Sequence, residues 1–142
     1  MRVSYFNNDT AYRFSQRRLI TRWLRAVAES EGYTLGDLGV IFCSSPALLE
    51  LNREYLKHDY FTDIITFDSS SLDEGIASGE LYIDVDTVAD NAAIYESTPL
   101  REMHRILCHG VLHLCGQGDK SPEEAIAMRA KEDRALDVLD KL

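Results

Sequence analysis

The chain has 142 residues, of which 45% are hydrophobic and 27% charged. That balance suits one ordinary globular domain, large enough to bury a core. Its net charge of −9 argues against broad, nonspecific nucleic-acid binding and leaves room only for a local basic patch. No apolar run approaches the roughly 20 residues a membrane-spanning helix needs. The N-terminus, Met1-Arg2-Val3-Ser4-Tyr5-Phe6, lacks the long apolar region of a secretory signal. The expected location is the cytoplasm, with no membrane partner. Cys43, Cys108 and Cys115 are too few and too scattered for a disulfide framework and read as buried free thiols.

Val3-Ser4-Tyr5-Phe6-Asn7 reads as a strand. From about Ser15 to Glu31, Leu19, Ile20, Trp23, Leu24 and Val27 recur every three or four positions, which predicts a helix stopped by Gly32. Arg18, Arg22 and Arg25 share one face of that helix, either a solvated face or a phosphate-facing stripe. Leu38 to Cys43 is a short apolar run rich in branched and aromatic residues, a buried strand. Ser45-Pro46 opens a second helix, with serine as cap, that ends near Tyr55. Lys57-His58-Asp59-Tyr60 is a loop, with His58 exposed. Asp63 to Phe67 and Glu80 to Val85 are strands that pair as an antiparallel hairpin across a polar, exposed connection, Ser69 to Ser78. A helix starts at Asp86, another runs from Pro99 to Cys115 and stops at Gly116. Ser121-Pro122-Glu123-Glu124 has the form of a capping box and opens a last helix reaching Leu139. The sum is a single α+β (mixed α/β) domain over residues 1–142, a small mixed four-stranded sheet packed against about five helices.

The informative chemistry lies in His109-Gly110-Val111-Leu112-His113-Leu114-Cys115-Gly116-Gln117-Gly118-Asp119. Histidines four apart on a helix project from one face, one turn apart, and reach one ion. Gly116 breaks the helix and Gly118 frees the backbone, so the chain returns Asp119 toward the same point. Two imidazoles and a carboxylate leave one position open, the arrangement of catalytic zinc. The expected ligands are therefore His109, His113 and Asp119. Asp119 has a second reading, as a residue that favours the following helix dipole. Cys108 and Cys115 share a face with Leu112, about 100° around the helix from the histidines, and read as core. His104 lies off the ligand face and is expected to pair with a carboxylate or solvent. A zinc protease needs a glutamate directly after the first histidine; Gly110 stands there, which argues against peptide hydrolysis.

These residues resemble the core of the YbeY family of ribosomal RNA maturation endoribonucleases, whose pattern is H-G-x-L-H-L-x-G-Y-D-H. Upstream, Leu51-Asn52-Arg53-Glu54-Tyr55, Asp59 and Thr62-Asp63-Ile64-Ile65-Thr66-Phe67 resemble its L-N-x-x-Y-R-x-x-D-x-P-T-D-V-L-S-F block. Gly79-Glu80-Leu81-Tyr82-Ile83 resembles its G-D-I-x-I strand. The resemblance implies a zinc-dependent hydrolase of single-stranded RNA, active in ribosomal RNA processing and ribosome quality control, with the metal helix beside a small mixed sheet. It implies ribosomal RNA, the ribosome or ribosomal proteins as partners, and no DNA. This chain departs from the pattern at three places. The family's third histidine is Asp119, a harder ligand that admits manganese and other divalent metals beside Zn2+. The family's arginine after the tyrosine is Leu56, so Lys57 becomes the candidate phosphate contact. The proline before Thr62 is replaced by Phe61. Tyr60 and Phe61 are candidates for base stacking or for the core. Asp63 and Glu80 are candidates for orienting a histidine, or for strand-edge solubility. Two other readings stay open: a ribosome-associated factor with a structural metal, and a metal hydrolase of another substrate.

Overall fold

The computed structural model describes residues 1–60 and 62–142. Phe61, at the family's proline position and a candidate for base stacking, lies outside the described residues. Four strands, β1 (Val3–Asn8), β2 (Thr34–Cys43), β3 (Ile64–Asp68) and β4 (Ile76–Asp84), form one mixed sheet in the order β1-β2-β4-β3. β1 and β4 flank β2 in parallel, and β3 runs antiparallel to β4 as the second edge. Five helices complete the fold: α1 (Arg17–Ser30), α2 (Ser45–Tyr55), α3 (Val85–Ile94), α4 (Pro99–Leu114) and α5 (Pro122–Asp140). The expected mixed sheet, hairpin and five helices are all present.

Alternation along the strands divides the core in two. Leu38, Val40, Phe42, Leu81 and Ile83 join Ile20, Trp23 and Leu24 of α1, Leu107 and Val111 of α4, and Leu136 of α5. The opposite face, with Ile41, Cys43 and Ile65, is covered by Leu48 of α2. Trp23 Nε1 donates to the Ala135 carbonyl at 2.8 Å, clasping α1 to α5 deep in the larger core.

Four boundaries differ from expectation for local reasons, one of them the start of β4 at Ile76 and not Glu80. β2 begins at Thr34, not Leu38: Gly36 and Asp37 interrupt the apolar run, yet Leu35 is buried and the register with β4 shifts between Leu35 and Leu38. Such a bulge hides a strand's first half from a pattern search. α2 is capped by Ser44, whose Oγ accepts from Ala47 N, and not by Ser45. Ser45 Oγ donates instead to Asp84 Oδ1 at 2.8 Å. Asp84 itself caps α3, accepting from the backbone of Asp86 and Thr87, so that helix starts at Val85. The connection Ser69 to Ser78 is only partly exposed; a 3-10 turn at Leu72–Glu74 tucks Leu72 against the core before β4 begins.

Candidate metal centre

α4 is built to hold its position. Thr98 caps it, accepting from Arg101 N at 3.1 Å, and Pro99 opens its first turn. Its apolar stripe packs on the sheet, and Gly110 makes the closest approach. A Cβ there would lie 2.8 Å from both terminal methyls of Leu81 and 3.2 Å from Ile64 Cδ1. The residue after the first histidine thus points into the sheet. The position that a protease fills with its general base is here a packing contact.

His109 and His113 sit one turn apart near the C-terminal end of α4, and both line one cavity of about 440 Å³ with Asp119. Gly116, at φ 94°, ends the helix in the left-handed region that glycine tolerates. The loop then returns through Gly118, where a Cβ would collide with the Glu124 carboxylate. That close approach seats the loop against the capping box of α5, in which Ser121 Oγ accepts from Glu124 N. The cap is therefore Ser121, and Asp119 is left to face the cavity. Its Oδ2 lies 3.4 Å from His109 Nε2.

Each ring is oriented through its other nitrogen. His109 Nδ1 lies 2.7 Å from Glu132 Oε2, and His113 Nδ1 lies 3.2 Å from the Gln117 carbonyl. Both partners are acceptors, so Nδ1 is the donor in each ring, and in the neutral imidazole Nε2 keeps its lone pair. A carboxylate or carbonyl behind a histidine is the usual support of a metal-binding imidazole. Glu132 is buried and shared with Arg105, which spans Glu132 Oε1 and Asp133 Oδ1 at 2.9 and 2.8 Å. Burial opposes protonation of His109, but the hydrogen bond and charge of Glu132, with Asp119 and Asp63 behind them, hold its pKa above the ordinary value. Among the described residues, no group of three or more His, Cys, Asp or Glu side chains is placed so that it could hold a metal ion. The donor types are nevertheless those of a two-imidazole, one-carboxylate site: His109, His113 and Asp119 share the cavity, with Asp119 39% exposed on its loop.

Other candidates separate cleanly. Cys108 and Cys115 are core: burial pushes both thiols up, Cys115 to about 11. Among the described residues, His104 pairs with no carboxylate and its Nε2 has no partner; it is buried with its ring at an edge angle to Trp23. Burial, then the Arg101 charge, holds its pKa low. Asp63 lines the cavity. Glu80 does not: its neighbour Leu81 faces α4, so Glu80 points to the other side of the sheet, into a depression with Arg2 and Gly39. The role expected of it falls to Glu132. Tyr60 is not in the core. It is 55% exposed, stacks on the exposed His58 at 5.0 Å between centroids, and stands with it at the cavity wall. Lys57 is exposed in a left-handed turn between Leu56 and His58, both cavity residues, and Lys120 lines the cavity from the opposite loop.

Comparison with known proteins bears on the family and the fold. The family model described as Endoribonuclease YbeY matches residues 3–140. A protein named Endoribonuclease YbeY from Cytophaga hutchinsonii is 47% identical over 134 residues, covering 94% of this chain and 93% of its own. One of the same name from Parabacteroides distasonis is 43% identical over 139 residues, covering 98% and 96%. A solution structure of a Thermotoga maritima protein superposes with a TM-score of 0.67 at 23% identity, covering 97% of this chain and 89% of that one, and shares the fold. Matched over nearly its whole length by the family model and by relatives more than 40% identical, the chain belongs to the YbeY endoribonuclease family.

Proposed function

We propose that this protein is a metal-dependent endoribonuclease that cuts single-stranded RNA, with ribosomal RNA as its substrate in ribosome maturation and quality control. The observation that carries the reading is the pairing of Nδ1 of His109 with Glu132 and of His113 with the Gln117 carbonyl, in rings that line one cavity with Asp119. His109, His113 and Asp119 would hold one divalent ion, zinc in the first instance. When bound, such an ion supplies Lewis acidity toward a phosphoryl oxygen and toward water.

The rest of the work belongs to the chain. Glu132 keeps the proton on His109 Nδ1 and fixes the ring plane. Lys57 or Lys120 neutralises a backbone phosphate as a point charge, in place of the bidentate arginine that Leu56 replaces. The Tyr60–His58 stack offers a flat surface to an unpaired base, and base stacking on an aromatic ring contributes about 1–3 kcal/mol. An open cavity walled by an aromatic pair suits a single strand, whose bases are free to splay, better than a duplex.

The test is cleavage of an end-labelled single strand by purified protein, repeated with a chelator and with His113→Ala. Activity should fall to background in both. Equal cleavage in all three reactions would remove the metal site from the chemistry. Metal bound in stoichiometric amount without turnover at high protein excess would favour the structural-metal reading.

A further inference from the structure

The cavity takes up one edge of the sheet; the strongest charge feature lies at the other. Residues 13–25 contain five arginines and no acid, in a chain whose remaining residues hold ten basic against 24 acidic side chains. Arg13, Arg17, Arg18, Arg22 and Arg25 are all exposed. Elsewhere four of the ten cations are ion-paired: Arg53 with Asp59, Arg101 with Asp140, Arg105 with Glu132 and Asp133, and Lys131 with Glu31. Among the described residues, none of the five arginines from 13 to 25 has a carboxylate within ion-pairing distance. The arrangement also runs against the stability of α1. Its first turn holds Arg17 and Arg18 and no acid, and Gln16 makes no capping hydrogen bond, whereas the other four helices are each capped by Ser44, Asp84, Thr98 or Ser121. A local rule broken without structural return marks a functional surface.

That surface has shape as well as charge. Between α1 and β1 runs a groove of about 450 Å³, lined by Arg17, Arg18 and Arg25 with Ser4, Tyr5 and Thr21. The Arg17 guanidinium sits 5.8 Å from the Tyr5 ring centre, and Arg25 reaches the Met1 carbonyl at 3.3 Å, so two of the cations are already positioned. Arg18 and Arg25 are about 10 Å apart along the helix axis at 1.5 Å per residue. β1, beside the groove, and β3, beside the cavity, are separated by three strand spacings, about 14 Å.

We propose that the arginine face of α1 and the groove beside β1 form a second RNA-binding surface. It grips the phosphate backbone of a long substrate at a distance from the cavity that cuts it. The proposal rests on RNA being the substrate class, but not on the metal site. An acidic partner protein or an anionic membrane would meet the same charge, but the RNA reading unites the patch with the family to which the chain belongs.

The test compares the wild type with the triple variant Arg18→Glu, Arg22→Glu, Arg25→Glu and with the triple lysine variant, each checked by thermal melt. Binding of labelled long and short single-stranded RNA is followed by anisotropy across a salt series, and cleavage of the short RNA is measured beside it. The glutamate variant should lose about tenfold or more in affinity for the long RNA, and its slope of log affinity against log salt should shrink by about 2. The lysine variant should keep both, and cleavage of the short RNA should be unchanged in all three. In the wild type alone, the salt slope for long RNA should exceed that for short RNA. Equal slopes for the two RNAs, or an unaltered long-RNA affinity in the glutamate variant, would overturn the proposal. So would loss confined to anionic phosphatidylglycerol vesicles. Patch-dependent binding without any cleavage would support this surface and sink the nuclease reading instead.

Discussion

Glu132 lies in the last helix, yet its carboxylate holds His109 in the fourth, with Arg105 sharing the load. Glu132→Gln keeps an oxygen acceptor and loses the charge, and should weaken metal binding about 10–100-fold, measured by competition with a chromogenic chelator. Glu132→Ala leaves Arg105, only 16% exposed, without its buried partner and should cost about 3 kcal/mol or more in urea unfolding. The residue was legible in principle. Met128, Glu132 and Leu136 follow one another at four-residue spacing, so a carboxylate occupies a core position in an otherwise apolar stripe. A search for metal ligands near the histidines passes over it, because only tertiary packing brings α5 there. His104 shows a second limit of pattern reading: nothing in its spacing says that Trp23 will cover it. Its folded pKa lies below the ordinary 6.5. The unfolded chain therefore takes up its proton first, and stability falls as pH drops from about 6.5 through the lowered folded value. His104→Leu should remove that part of the acid sensitivity while leaving stability at neutral pH within about 1 kcal/mol, because the ring's buried Nε2 has no partner to lose. The variant's urea midpoint should rise relative to the wild type's as pH falls; a constant difference across the pH series would contradict this.

Helices with explicit punctuation were legible as elements. Pro99 and Gly116 bound α4, and the Ser121–Glu124 box opens α5, because these signals act through local backbone hydrogen bonds. Strand limits were less so. Gly36 and Asp37 conceal the start of β2, and the close contacts that explain Gly110 and Gly79 exist only once sheet and helix meet. At Gly79 an added Cβ would lie 2.4 Å from the Phe67 carbonyl oxygen and 2.8 Å from a Leu114 methyl. The first contact is backbone and cannot rotate away. Gly79→Ala should therefore force β3 from β4 and cost about 2 kcal/mol or more, seen as a lower urea midpoint. Since β3 supplies Ile64, Ile65 and Thr66 to the cavity wall, the same variant should lose RNA cleavage, whereas a β3 that tolerates it would retain both.

At the scale of the whole molecule, the hairpin between β3 and β4 followed from two adjacent strands with a turn between them, but the parallel pairing of β1, β2 and β4 did not. Parallel partners are joined by long crossovers whose ends carry no shared pattern. That topology sets the cavity of His109 and His113 at one border of the sheet and the arginine face of α1 at the other, in a protein otherwise rich in acid. It also gives the clasp between Trp23 and Ala135 a meaning in time. Residues 112 positions apart must meet before the first helix is secured, and the helix that secures it also delivers Glu132. A growing chain would display both histidines long before it could brace the first of them. The orientation of His109 thus depends on the packing of α5 and not on α4 alone.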